Sequence, residues 1–227
     1  MPGTFLTPEI GIAGVVEEIP VAAREYVLGL SLSTLDNPFF VTLKEGAESV
    51  AEATGVKLVV VDCRDDSALE ATNIEDLIQR KVDALLINPT DADAIVPSIE
   101  KANAAGIPVF TVDRGAAGGE VVSHIASDNV AGGRLAGEEL AKLLGGEGKV
   151  VELEGIAGTS SARDRGEGFN EVMANYAGIE IVARQTANYD RAEGLTVFEN
   201  ILQAQPEING VFSHNDEMVL GAIEAAE

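Results

Sequence analysis

The sequence predicts an α/β protein built as two doubly wound lobes, each around a parallel sheet. Three observations carry this expectation. Short apolar, β-branched runs recur from Tyr26 onward, each followed by a longer stretch of helical period. The runs are continuously apolar and not alternating, as in parallel strands covered on both faces. The rhythm breaks once, at the glycine-rich turn 115–120 and the polar pair Ser127-Asp128, and then restarts. Two halves joined there are the economical architecture.

The first strand, residues 26–32, feeds a polar stretch, Ser31-Leu32-Ser33-Thr34-Leu35-Asp36-Asn37-Pro38-Phe39-Phe40. Pro38 suits the first helical position, where its missing N–H would have no partner, and Asn37 suits the N-cap. Phe39 and Phe40 are adjacent on the helix and cannot face one core, so one packs inward and the other looks over the strand ends. Burial of both in core or rim is the competing reading. The helix spans 38–53, and Gly55 closes it in the left-handed conformation. A strand at 56–61, helix at 67–80, strand at 84–90, helix at 92–105, and strands at 107–112 and 121–127 complete the first half. The second half runs helix 130–144, strand 149–153, helix 162–176, strand 180–184, helix 191–205, strand 210–213 and a helix beginning near 218. Right-handed crossovers put the strand-to-helix turns of one sheet on the same edge. Ser33, Asn37, Asn88, Asp113 and Arg114 are therefore expected on one rim.

Composition bounds what such a fold can do. The 227 residues suit one large domain or two small ones. Lysine and arginine total 15 against 38 aspartates and glutamates, a net charge of −23. Nucleic acids and anionic membranes need basic patches and are poor partners for this chain. The acidity fits both a high-salt setting and ordinary solubility. Cys63 is the sole cysteine, so no intrachain disulfide forms, and it reads as a structural thiol. His124 and His214 are far apart in the chain, so no metal cluster and no cofactor are expected. No apolar run is long enough for membrane insertion. Residues 1–25 show neither the basic start of a secretory signal nor a basic helix-turn-helix, and read as a tail or a leader lacking its true start.

The strand ends of the second half add Arg163, Arg165, Asn188, Tyr189 and Asn215. Carboxylate, guanidinium, amide and flat aromatic groups together suit a neutral polyhydroxylated ligand, whose hydroxyls need donors and acceptors at once. Hydrogen bonds to charged groups contribute about 1.5–3 kcal/mol each. An enzyme is less supported: there is no serine–histidine–aspartate context, nucleophile elbow or phosphate-binding Gly-Lys loop. The glycine-rich turn 155–160 suits a phosphate or an ordinary turn. Taken alone, Arg163 and Arg165 read as solvated helix charges.

At these residues the sequence resembles the periplasmic sugar-binding proteins of ABC transporters, the type 1 periplasmic binding proteins, and within them the D-ribose binders. The stretches that carry the resemblance are 33–40, Leu86-Ile87-Asn88-Pro89-Thr90-Asp91, Asp113-Arg114, 119–129, Gly155-Ile156-Ala157-Gly158-Thr159-Ser160, 163–169 and Asn215-Asp216-Glu217-Met218. The resemblance implies a non-enzymatic, extracytoplasmic clamshell of lobes 26–127 and 128–227 that holds β-D-ribopyranose in its cleft and presents it to a permease. By position, Ser33 and Asn37 become polar contacts, Phe39 and Phe40 pack on the sugar ring, and Asp113, Arg114, Arg165 and Asn215 bind hydroxyls. Tyr189 stands where the family has phenylalanine, so its hydroxyl needs a partner. The family continues beyond the last helix with a Gly-Phe-Asp-Gly-type strand end, a further helix and a segment ending in Ala-Gln. Relative to it, the second lobe is incomplete and the first lacks its returning segment. The resemblance thus implies a C-terminally truncated form with weakened closure and a tendency to self-association. The alternatives are the effector-binding domain of a LacI-type regulator, which would carry a basic N-terminal helix-turn-helix, and a binder of a related pentose or furanosyl signal molecule.

Overall fold

The computed structural model describes residues 21–22 and 24–227. The rest of the tail expected over 1–25 lies outside the described residues. Five parallel strands form the first sheet: β1 (Val27–Leu32), β2 (Lys57–Asp62), β3 (Ala84–Ile87), β4 (Val109–Val112) and β5 (Ser123–Ile125). Their order is β2-β1-β3-β4-β5. Helices α1 (Pro38–Thr54), α2 (Ser67–Gln79) and α3 (Val96–Ala104) connect the first four, and a helix-free stretch joins β4 to β5. The second sheet, also parallel, is β7-β6-β8, made of β6 (Glu147–Glu154), β7 (Gly178–Thr186) and β8 (Gly210–Ser213). Helices α4 (Asn129–Leu143), α5 (Ser160–Met173), α6 (Arg191–Ala204) and α7 (Asp216–Ala226) accompany it.

The strand orders locate a crevice in each sheet. The chain steps from β1 to β2 in one direction and then to β3 in the other, so the crossovers diverge beside β1. In the second sheet they diverge on either side of β6. Ligands of open α/β sheets bind outside the carboxyl ends of the strands at such switch points.

Burial explains why the strands read as unbroken apolar runs. Ile74 and Leu77 of α2 and Ile99 of α3 pack with Leu85, Ile87 and Val109 of the first sheet, all 0% exposed. On β6, Val150 packs with Phe169 and Phe212, whereas Val151 and Leu153 pack with Phe198 and Met218, so both faces of the sheet are covered. Helix ends follow local chemistry. Asn37 Oδ1 accepts from Phe39 N–H at 3.0 Å, and Gly55 takes φ 73° after α1.

Most element bounds shift from expectation by up to a few residues, and two of the shifts have a local cause. The helix expected from residue 92 starts at Val96. Asp91 Oδ1 accepts from Asp93 N–H (2.9 Å) and Ala94 N–H (2.8 Å), which makes a turn instead. Pro97 could not have donated to the carbonyl of residue 93, so a helix begun at 92 would have broken there. The strand expected over 121–127 shortens to Ser123–Ile125. It is an edge strand with Val122 and Ile125 more than half exposed, and Asp128 already caps α4.

Candidate functional site

The two sets of strand ends face each other across a cavity of about 720 Å³. From the first lobe it is lined by Asn37, Phe39, Phe40, Asp113 and Arg114, and from the second by Arg165, Tyr189 and Asn215. Ser33 does not line it. It is 0% exposed, its N–H donates to Asn88 Oδ1 at 3.3 Å, and its Oγ has no hydrogen-bond partner among the described residues. Asn88 is also fully buried. Its amide donates to Val112 O (3.0 Å) and Asp113 Oδ2 (3.4 Å), so it braces the ends of β1, β3 and β4 and orients the Asp113 carboxylate.

Backbone strain gathers at this rim. Asp113, Asn188 and Tyr189 have φ of 62°, 50° and 63°, in the left-handed region. Such conformations cost roughly 1–3 kcal/mol each and persist where surroundings over-determine them. Asp113 N–H donates to Ile125 O at 2.8 Å. Tyr189 N–H donates to Met218 Sδ at 3.3 Å, and its carbonyl accepts from Asn215 Nδ2 at 3.2 Å.

Arg114 is 3% exposed and lies between two aromatic faces, 5.1 Å from the Phe40 ring centre and 5.4 Å from that of Tyr189. A flat, weakly hydrated guanidinium suits such a slot. Its Nη1 donates to Pro89 O at 3.3 Å and pairs with Asp65 at 3.6 Å. Phe40 is buried, whereas Phe39 is 55% exposed, with the rings edge-to-face at 5.2 Å. Both line the cavity. The Tyr189 hydroxyl finds its partners within the second lobe, Ser161 Oγ at 3.0 Å and Thr159 Oγ1 at 3.4 Å. Gly155 makes room for this ring, since a Cβ there would overlap Tyr189.

Arg165 Nε donates to Asn129 Oδ1 at 2.9 Å, and its Nη1 donates to His214 O. Asn215 Oδ1 caps α7 by accepting from Met218 N–H at 3.0 Å. Burial pushes the Asp113 carboxyl above its ordinary value, although Arg114, Arg165 and the Asn88 amide favour its anion. The cavity thus offers an acceptor flanked by two fixed cations and flat apolar faces. That set can satisfy vicinal hydroxyls on one side of a small ring while covering its C–H side.

Arg163 is exposed, donates to Gly158 O at 3.4 Å, and does not line the cavity. Asn188 lines a second opening of about 580 Å³ that shares Arg114 and Tyr189 with the first. The turn 155–160 serves the lobe contact. Ala92 N–H donates to Gly158 O at 3.0 Å, and Gly115 N–H donates to Ser160 Oγ at 2.8 Å. Ser161 and His214 also line the cavity, and sequence reasoning did not assign them to it. Their available signal was adjacency, to Ser160 in the glycine-rich turn and to Asn215 after β8.

Among the described residues, no helix is long and apolar enough to cross a membrane. The family profile described as periplasmic binding protein domain matches residues 28–227. The ribose import binding protein RbsB of Bacillus subtilis is 52% identical over 202 residues, covering 89% of this chain and 66% of that protein. This chain therefore spans about two thirds of the length of that curated relative. The Caulobacter myo-inositol binding protein, solved bound to myo-inositol, superposes with TM-score 0.86 at 30% identity, covering 92% of this chain and 72% of that one. The arabinose ABC transporter's periplasmic binding component from Shewanella sp. ANA-3, solved with α- and β-L-arabinofuranose, gives TM-score 0.84 at 33% identity over 88% of this chain and 68% of that one. In sequence and in fold, the chain belongs to the periplasmic binding protein family.

Proposed function

We propose that this chain is the solute-binding component of a sugar ABC importer and takes D-ribose, as β-D-ribopyranose, between lobes 26–127 and 128–227. The observation that carries the reading is the joint lining of one cavity by Asp113, Arg114, Arg165 and Asn215 with the rings of Phe39, Phe40 and Tyr189. The 52% identity to a ribose import binding protein supports the choice of sugar. In this reading Asp113 accepts from, and Arg114 and Arg165 donate to, ring hydroxyls, while the aromatic faces cover the C–H side. Asn37 and Asn215 supply amide contacts beside their capping roles. Ser33 supports the rim from below. The chain binds without turnover, works outside the cytoplasm and hands its sugar to a permease.

Calorimetric titration with D-ribose tests this directly, with L-arabinose, D-xylose and myo-inositol as comparators. Saturable one-to-one binding that favours ribose, with the sugar recovered unchanged, is the expected result. No heat with ribose under conditions where a comparator binds would overturn it. The second reading, a furanose or other pentose binder, rests on the arabinofuranose-bound relative. It would appear as a preference for arabinose in the same panel.

A further inference from the structure

Behind the second-lobe wall of the cavity, which His214 helps to line, lies a carboxylate that is buried although its cation, Arg184, is exposed. Glu152, on β6, is 0% exposed. Its carboxylate accepts from Arg184 Nε at 2.6 Å and from Asn170 Nδ2 at 3.2 and 3.3 Å, and it faces His214 Nε2 at 3.1 Å. The other ring nitrogen settles the tautomer. Gly155 N–H donates to His214 Nδ1 at 3.3 Å, so Nδ1 carries no proton and Nε2–H donates to Glu152. His214 N–H also donates to Leu153 O at 3.0 Å. Residue 214 is therefore tied to the end of β6 by its backbone and by both ring nitrogens. Its carbonyl accepts from Arg165 Nη1.

A buried ion pair is weak support for stability, because apolar residues of similar volume often serve as well. Removing one partner, by contrast, leaves a costly unpaired charge. The position of this cluster indicates another use. We propose that Glu152 and His214, with Arg184 as counter-charge, are positioning residues that hold the Arg165 guanidinium in its sugar-binding orientation. They act through the His214 carbonyl. With Asn129 fixing Nε, that carbonyl fixes the second edge of the fork, and the remaining N–H groups are aimed before a ligand arrives. The inference rests on the reading of the cavity as a monosaccharide site.

Two readouts keep the inference separable from that reading. In titrations of the folded protein, Glu152→Gln and His214→Leu each weaken D-ribose binding about tenfold, the scale of one charge-assisted hydrogen bond. The loss shrinks to less than about twofold when Arg165→Lys is already present, because the lesions share one route. His214→Gln, whose amide keeps an acceptor and a donor, recovers most of the affinity lost in His214→Leu. The second readout needs no sugar. Nitrogen-15 NMR of the wild-type chain finds the His214 proton on Nε2 alone, and Glu152→Gln speeds hydrogen exchange and side-chain motion at Arg165 Nε. Should wild type bind no ribose, the sugar reading falls and this readout decides the positioning role. A lowered Tm with unchanged ribose affinity, additive losses with Arg165→Lys, or unaltered Arg165 dynamics in Glu152→Gln would each overturn it.

Discussion

Glu70 gives the sharpest quantitative test of how this fold supports its cleft. The carboxyl is 1% exposed on α2, and its oxygens accept from Thr90 N–H at 3.2 and 3.3 Å and from Thr90 Oγ1 at 2.7 Å. Burial pushes its pKa from 4.5 up to about 7, with the Thr90 hydrogen bonds and Arg114 pulling the other way. A raised carboxyl holds its proton in the native state where the unfolded chain has released it. Its contribution to stability is therefore full below about pH 4.5 and is lost as pH rises through about 7. The difference between these values corresponds to about 3 kcal/mol. Glu70→Gln cannot titrate, so subtracting its stability from that of wild type isolates this one group. Urea unfolding of both proteins at several pH values across that range should show the difference falling by about 3 kcal/mol as pH rises. A difference that stays flat, or that grows with pH, would mean that the Thr90 donors hold the anion against burial, and the reasoning would fail.

Three further outcomes are expected. A Cβ at Gly158 would overlap the Asp91 carboxylate, so Gly158→Val should separate the lobes, raising the radius of gyration in small-angle scattering and weakening ribose binding about tenfold; an unchanged scattering curve would count against the lobe contact. Tyr189→Phe removes the partner of buried Ser161 Oγ and should lower unfolding free energy by about 1–2 kcal/mol in urea, whereas no loss would mean the hydroxyl pair is idle. Phe169 is 0% exposed and stacks on Phe212 at 4.1 Å and 12°, so Phe169→Ala should cost about 3–5 kcal/mol, and a cost below about 2 kcal/mol would show that the second lobe repacks easily.

Alternation of apolar runs with helical stretches was enough to locate the strands along the chain and to expect their carboxyl ends on one edge, because parallel strands covered on both faces leave a contiguous signal, whereas the order of strands within each sheet was not legible. Capping at Asn37 and Gly55 was equally legible, since each depends on its own neighbours. What stayed hidden depends on contacts between residues distant in sequence. Asn88 reads as one more rim amide, yet both ends of its side chain are consumed in bracing Ser33 and Asp113. Ser33 lies one pleat too deep for the cavity, a distinction that a list of rim residues does not make. Tyr189 announced that its hydroxyl needed a partner, but Ser161 sits on α5, distant in the chain from the turn that carries Tyr189. The late start of α3 turned on a competition between the Asp91 side chain and a helical turn that Pro97 would have interrupted.

The bonds that join the lobes, Ala92 to Gly158 and Gly115 to Ser160, run through backbone and one hydroxyl, outside the residues assigned to the sugar. Each is worth about 0.5–1.5 kcal/mol net. Together they multiply the ratio of joined to open arrangements by roughly 5-fold to 150-fold, whatever the ligand, and so set the population of the joined one. A solute that binds only this arrangement has an apparent Kd equal to its intrinsic Kd divided by that population. Changes in the loops around residues 91 and 158 should then tighten or loosen every sugar by one common factor. Discrimination among sugars is left to the strand ends. On the proposed reading, affinity and selectivity are then two separately adjustable properties, and each can drift without disturbing the other.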